Sequence, residues 1–112
     1  MIIATRELRY TAEDGCSIPV PVNLSVPEEA ELGWKCHYTI GWPDGVEAHT
    51  VPGIDAIQAL YLGLQALGTA IYLSGYHRSG RLCFDEPGYG YGFPVLTIAR
   101  DMLIGDDSTF CG

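Results

Sequence analysis

Residues 54–73 are apolar, small or amide-bearing at helical spacing and carry a single charge, Asp55. A surface helix of a globular protein keeps a charged outer face. A helix with no Lys, Arg or Glu needs cover on more than one side. Its length also suits a bilayer span, but Asp55, Gln58 and Gln65 are costly in hydrocarbon. Four strand-like segments precede it, and one face of their sheet needs a cover. The run is therefore expected to be the packed helix of an α+β domain.

The strands announce themselves by alternation. Residues 3–10 put Ala4, Leu8 and Tyr10 on one side, with Arg6 breaking the pattern. Glu13-Asp14-Gly15 is turn chemistry. Ile18, Val20, Val22, Leu24 and Val26 alternate with polar residues and two prolines, a period of two. Pro19 and Pro21 lack N–H donors, which predicts an edge position or a bulge. Residues 27–31 read as a polar acidic loop. Trp34, Cys36, Tyr38, Ile40 and Trp42 form an aromatic row, and Pro43-Asp44-Gly45 turns the chain into a fourth strand over 46–51. Pro52-Gly53 closes that strand. Asp55 falls in the first helical turn, where negative charge suits the helix terminus. Further strands are expected at 81–85 and 95–99.

At about 100° per residue, Ile57, Leu60, Tyr61, Leu64, Leu67 and Ile71 share one helix face. That face is expected against the sheet. A stripe of Ala56, Ala59, Gly63, Ala66 and Ala70 runs beside it, with Leu62 and Leu73 on the far side and Ser74-Gly75 ending the helix. Small residues let another backbone approach closely. Ala59, Leu62, Gly63, Ala66 and Leu73 are therefore the candidate self-interface.

Length and charge limit the function. A chain of 112 residues suits one domain over 1–112 that buries roughly two-thirds of its unfolded surface. Residues 100–112 read as a C-terminal tail with freedom to move. Six basic against 14 acidic residues give a net charge of −8. Such a surface repels phosphate backbones, so nucleic acid is not an expected partner. It is compatible with a basic protein partner, and equally with simple solubility. Cys16, Cys36, Cys83 and Cys111 form no C-x-x-C pair, and the N-terminus has no signal-peptide pattern, so free thiols in the cytoplasm are expected.

Few residues suggest chemistry. Cys36 and His37 are adjacent on a strand and point to opposite faces. His37 and His49 are candidate cross-strand neighbours for a metal, without an identifiable third ligand. His77 and Cys83 flank a glycine turn, and nothing local activates the thiol. Asp85 and Glu86 are consecutive and diverge. Nucleophile-elbow, phosphate-loop and metalloprotease signatures are absent. Residues 88–94 alternate glycine with Tyr89, Tyr91 and Phe93, a candidate binding loop whose rings can equally fold back on the domain.

The segments Trp34-Lys-Cys36-His-Tyr-Thr-Ile40, Gly53-Ile-Asp55-Ala-Ile-Gln58-Ala59-Leu60 and Gly92-Phe93-Pro94 resemble a small family of uncharacterised bacterial proteins. The hallmark is G-x-D-x-x-Q-A-L after a Trp-x-Cys strand, and the likeness covers about residues 1–98. It implies a bacterial, cytoplasmic, stand-alone domain and transfers no catalytic role. Gln58 is the motif residue least explained by folding, which makes it a candidate contact to a loop or partner.

The expected architecture is α+β: a curved antiparallel sheet in the order β-β-β-β-α-β-β with one long helix across a face. The expected function is a non-enzymatic interaction protein. It would pair with a second copy, as symmetric dimers commonly do, and bind a basic partner in the manner of an immunity protein. The alternative is a small-ligand domain with a pocket between sheet and helix, lined by Trp34, Tyr38 and Trp42 and gated by Tyr89, Tyr91 and Phe93. An enzyme is the least supported reading. No catalytic residue, metal set or cofactor is assigned.

Overall fold

Alternating side chains build one face of an open antiparallel sheet, and the apolar helix closes it. The computed structural model describes residues 1–85 and 90–94. Within them run β1 (Ile2–Thr11), β2 (Ser17–Ser25), β3 (Glu28–Ala30), β4 (Gly33–Trp42), β5 (Gly45–Gly53), α1 (Ala56–Leu73), α2 (Gly75–Arg78) and β6 (Leu82–Cys83). The sheet order is β3-β4-β2-β1-β6, with β5 on β4. The expected α+β class with one main helix across an antiparallel sheet is observed. The expected strand at 95–99, the tail, Glu86 and Tyr89 lie outside the described residues.

Leu8, Val20, Val22, Leu24, Cys36, Tyr38 and Ile40 fill the inner face of the sheet and are buried. Their alternation is the period of two expected of strands with one covered face. Arg6 breaks the hydropathy of β1, yet the register places it opposite Val22, in the same inward row as Leu8. The two prolines of β2 have a local explanation. β4 pairs with β2 only at Val22, Asn23 and Leu24, so β2 has an open flank beside Pro19 and Pro21. A β-carbon on Gly41 would come within 2.9 Å of the Pro21 ring, so glycine makes room for proline across that flank.

The segment read as an acidic loop contains β3, three residues paired with the start of β4. Three residues are too few for alternation to register, so turn composition dominated the reading. β6 is shorter than the expected 81–85 strand and pairs Leu82 with Tyr10 and Cys83 with Arg9.

Asp55 caps α1, its carboxylate accepting the Gln58 N–H at 2.7 Å. Gln58 reaches back, its side-chain oxygen accepting the Ile54 N–H at 2.7 Å. This pair is a variant of the capping box, using the N–H of the residue before the cap, and it satisfies two backbone donors. At the other end the Ser74 N–H donates to the Ile71 carbonyl, and the Ser74 hydroxyl accepts from His77 N–H to start α2.

The orientation of α1 corrects the expected one. Ala59, Gly63, Leu67, Gly68, Ile71 and Tyr72 face inward. Of the face expected against the sheet, Leu67 and Ile71 are buried and Leu60 and Leu64 pack against the core, while Ile57 and Tyr61 are exposed. Close approach is the reason. A β-carbon on Gly63 would sit 3.2 Å from the Cys36 sulfur, and one on Gly68 would overlap the Pro94 carbonyl. The small stripe is the side on which α1 lies flush against its own domain. Both stripes are apolar, so periodicity alone could not choose between them.

Candidate functional site

The described residues present three features: an apolar surface at one end of α1, a groove at its other end, and a cleft under residues 91–94.

The apolar surface is built by two adjacent turns. The β3–β4 turn carries Leu32 and the β5–α1 junction carries Ile54. Trp34 pairs with Gly53, and a β-carbon on Gly33 would lie 2.7 Å from the Gly53 carbonyl oxygen. Gly33 has φ +135°, a backbone conformation natural to glycine. Leu32 is 98% exposed, Ile54 79%, Ile57 79% and Tyr61 53%. Exposed Glu28, Glu29 and Glu31 lie on the β3 side and Asp55 on the helix side. Scattered exposed apolar residues are ordinary, but apolar residues gathered at one end and rimmed by polar ones mark interaction sites.

The groove lies between the C-terminal half of α1 and the β4–β5 hairpin. It has a volume of about 410 Å3, with Tyr38, Glu47 and His49 facing Ala66, Ala70 and Leu73. The Trp42 indole N–H donates to one Glu47 oxygen at 2.8 Å. The other Glu47 oxygen lies 2.9 Å from His49 Nε2. In its neutral form, with Nε2 donating to Glu47, His49 keeps Nδ1 as an acceptor. Burial, with the Glu47 carboxylate second, pushes the Tyr38 phenol up to about 12, so it stays protonated and can donate. The groove therefore combines a donor, an acceptor and an apolar wall.

This register separates the expected histidine pair. His37 faces Thr50, while His49 faces Tyr38 with ring centroids 5.3 Å apart. Neighbouring positions on a strand point to opposite faces. His37 and His49 therefore lie on opposite sides of the sheet, and no group of three metal-ligating side chains occurs among the described residues.

The other expected pair is separated as well. Leu82 is buried opposite Tyr10, so the adjacent Cys83 points to the outer face. His77 turns inward, with Nδ1 2.6 Å from the Tyr91 hydroxyl and its ring edge-on to Tyr72. Burial, and secondarily the Arg78 charge, lowers the His77 pKa and favours the neutral ring.

Tyr91 and Phe93 are core residues, not exposed contacts. The Tyr91 hydroxyl lies 3.3 Å from the Leu82 carbonyl, and its ring is edge-on to Tyr72. Their rings fold back on the domain. Gln58 serves the helix cap. Of the candidate self-interface, Ala59 and Gly63 are buried inside the chain, Ala66 and Leu73 line the groove, and Leu62 is half-buried. The domain itself covers the small stripe at Ala59 and Gly63, and at Ala66 and Ala70 the stripe opens onto the groove.

The Domain of unknown function (DUF6968) family model matches residues 4–95. The chain belongs to the DUF6968 family. No curated protein and no solved structure matches it. The DUF6968 match spans β1 to the segment after Phe93, so it takes in the helix cap, the groove and the close approach of Gly68 to Pro94.

Reading by residue type missed Leu32 and the Glu47–His49 pair. A signal for the pair was present. A two-residue loop at Pro43-Asp44 pairs Trp42 with Gly45, and counting back from it sets His49 opposite Tyr38.

Proposed function

We propose that this DUF6968 domain is a non-enzymatic interaction module that docks a basic protein through the apolar end formed by Leu32, Ile54, Ile57 and Tyr61. The supporting observation is the pairing of exposed apolar anchors with an acidic rim. Aromatic and aliphatic anchors supply docking energy at the centre of an interface, and rim charges steer the encounter and select the partner. The exposed carboxylates of Glu29 and Glu31 favour cations, whereas Glu28 faces Lys35 and lies 3.9 Å from His37, and Asp55 caps α1. A second copy would set two acidic rims against one another, and like charges across an interface are unfavourable. A basic partner therefore fits this end better than self-association does.

A photo-crosslinking residue placed at position 57, in cells that encode the chain, tests the reading. An adduct to a basic protein, lost when Ile54 is changed to Glu and absent from a control at position 13, is expected. An adduct of twice the chain's own mass would replace the basic partner with a second copy. Equal labelling at positions 57 and 13 would overturn the docking surface.

A further inference from the structure

The inner face of β1 holds a cation where an apolar residue would ordinarily sit. Arg6 shares its row with Leu8, and its guanidinium lies 4.5 Å from the Phe84 ring centroid and 5.0 Å from that of Phe93. One terminal nitrogen, Nη1, donates to the Tyr91 carbonyl at 2.8 Å and the Gly92 carbonyl at 3.2 Å. These bonds tie residues 91–92 to β1. No carboxylate among the described residues pairs with Arg6. Among the described residues the half-buried guanidinium faces carbonyls and rings. Charges drawn into a protein are ordinarily paired.

Beside that guanidinium lies a cleft of about 210 Å3 between β1, β2 and α1. Val22, Leu24, Leu64 and Leu67 form its walls, Phe93 and Pro94 cover one side, and Arg6 is its only charged lining residue among those described. A guanidinium offers five donors in a planar fork that matches a carboxylate. Nη1 is engaged by carbonyls, and among the described residues Nε and Nη2 make no hydrogen bond, so these two donors can face a ligand.

We infer that this cleft binds a small carboxylate with an apolar tail, its head on Arg6 and its chain against Leu64 and Leu67. A cleft of about 210 Å3 suits a short tail, for which hexanoate is the probe. The site is separate from the docking surface at Leu32 and Ile57, and either proposal stands without the other.

The test is an amide NMR titration of the full chain with hexanoate, hexan-1-ol and inorganic phosphate. Hexanoate is expected to shift Leu24, Leu64 and Leu67. Hexanol, which lacks the charge, and phosphate, which lacks the tail, are each expected to bind at least about tenfold more weakly. Arg6→Met removes the head contact but also the tie to residues 91–92. Ala4→Asp is the cleaner variant. It leaves that tie in place and sets a competing carboxylate in the cleft, and it is expected to abolish hexanoate binding while the spectrum stays folded. Hexanoate shifts that avoid the cleft, hexanol or phosphate binding as tightly as hexanoate, or a folded Ala4→Asp variant that binds hexanoate normally would each overturn the proposal.

Discussion

The two sides of α1 make opposite use of apolar sequence. The inner side is built from Ala59, Gly63 and Gly68, with Leu67, Ile71 and Tyr72 filling the deeper positions. The outer side carries Ile57 and Tyr61, larger residues left in solvent. Residue size alone does not sort the two sides, since Leu67, Ile71 and Tyr72 are buried as well. Burial on this helix is decided by how near its backbone must come to Cys36 and Pro94, and only small residues permit that approach. Bulky apolar residues are then left facing outward, where a partner can use them.

The comparison breaks most readily on the inner side. Gly63→Glu places a carboxylate against the buried Cys36 and the Leu24 side chain, and is expected to cost about 4 kcal/mol or more, measured by urea unfolding. Gly68→Val forces its side chain into the Pro94 carbonyl and the Phe93 side chain. A loss of about 2 kcal/mol, with changed near-UV circular dichroism, is expected. Asp55→Ala removes the cap of α1 and should cost about 1 kcal/mol in the same assay.

His77 sharpens the contrast through pH. Its folded pKa lies below the ordinary histidine value, so the unfolded chain binds the proton more readily. The stability linked to this ring is present above about pH 6.5 and is lost as pH falls through the lower folded value. His77→Gln is expected to flatten that part of a stability–pH profile, measured by urea unfolding at a series of pH values.

On the outer side the effects are the smallest. Ile57→Glu and Tyr61→Glu each replace an exposed residue and are expected to change stability by less than about 0.5 kcal/mol. At Ile57 the added carboxylate also suits the first turn of the helix. Thermal melts check this, and crosslinking from position 57 in the Tyr61→Glu chain checks the loss of docking.

Much of the fold was legible because strands declare themselves by alternation. The rows Val20–Val22–Leu24 and Cys36–Tyr38–Ile40, the hairpin turn and the Asp55 helix start follow from pattern and turn chemistry. Three things were not. β3 is too short for any period. The facing of α1 depends on a contact distance, which hydropathy does not encode when both stripes are apolar. The side chains of Gln58, Tyr91 and Phe93 looked available because loops and unexplained polar residues suggest contact, whereas each has a partner inside the fold. Arg6 was visible as a break in the alternation of β1. Its meaning came from the register, which keeps it on the inner face.

The facing of α1 is tested most directly by urea unfolding of Gly63→Glu and Ile57→Glu side by side. The account predicts that Ile57→Glu unfolds within about 0.5 kcal/mol of the parent chain, while Gly63→Glu is lower by about 4 kcal/mol or is unfolded without urea. A stable Gly63→Glu beside a collapsed Ile57→Glu would mean that α1 packs on its other face, and the docking surface would be lost with it.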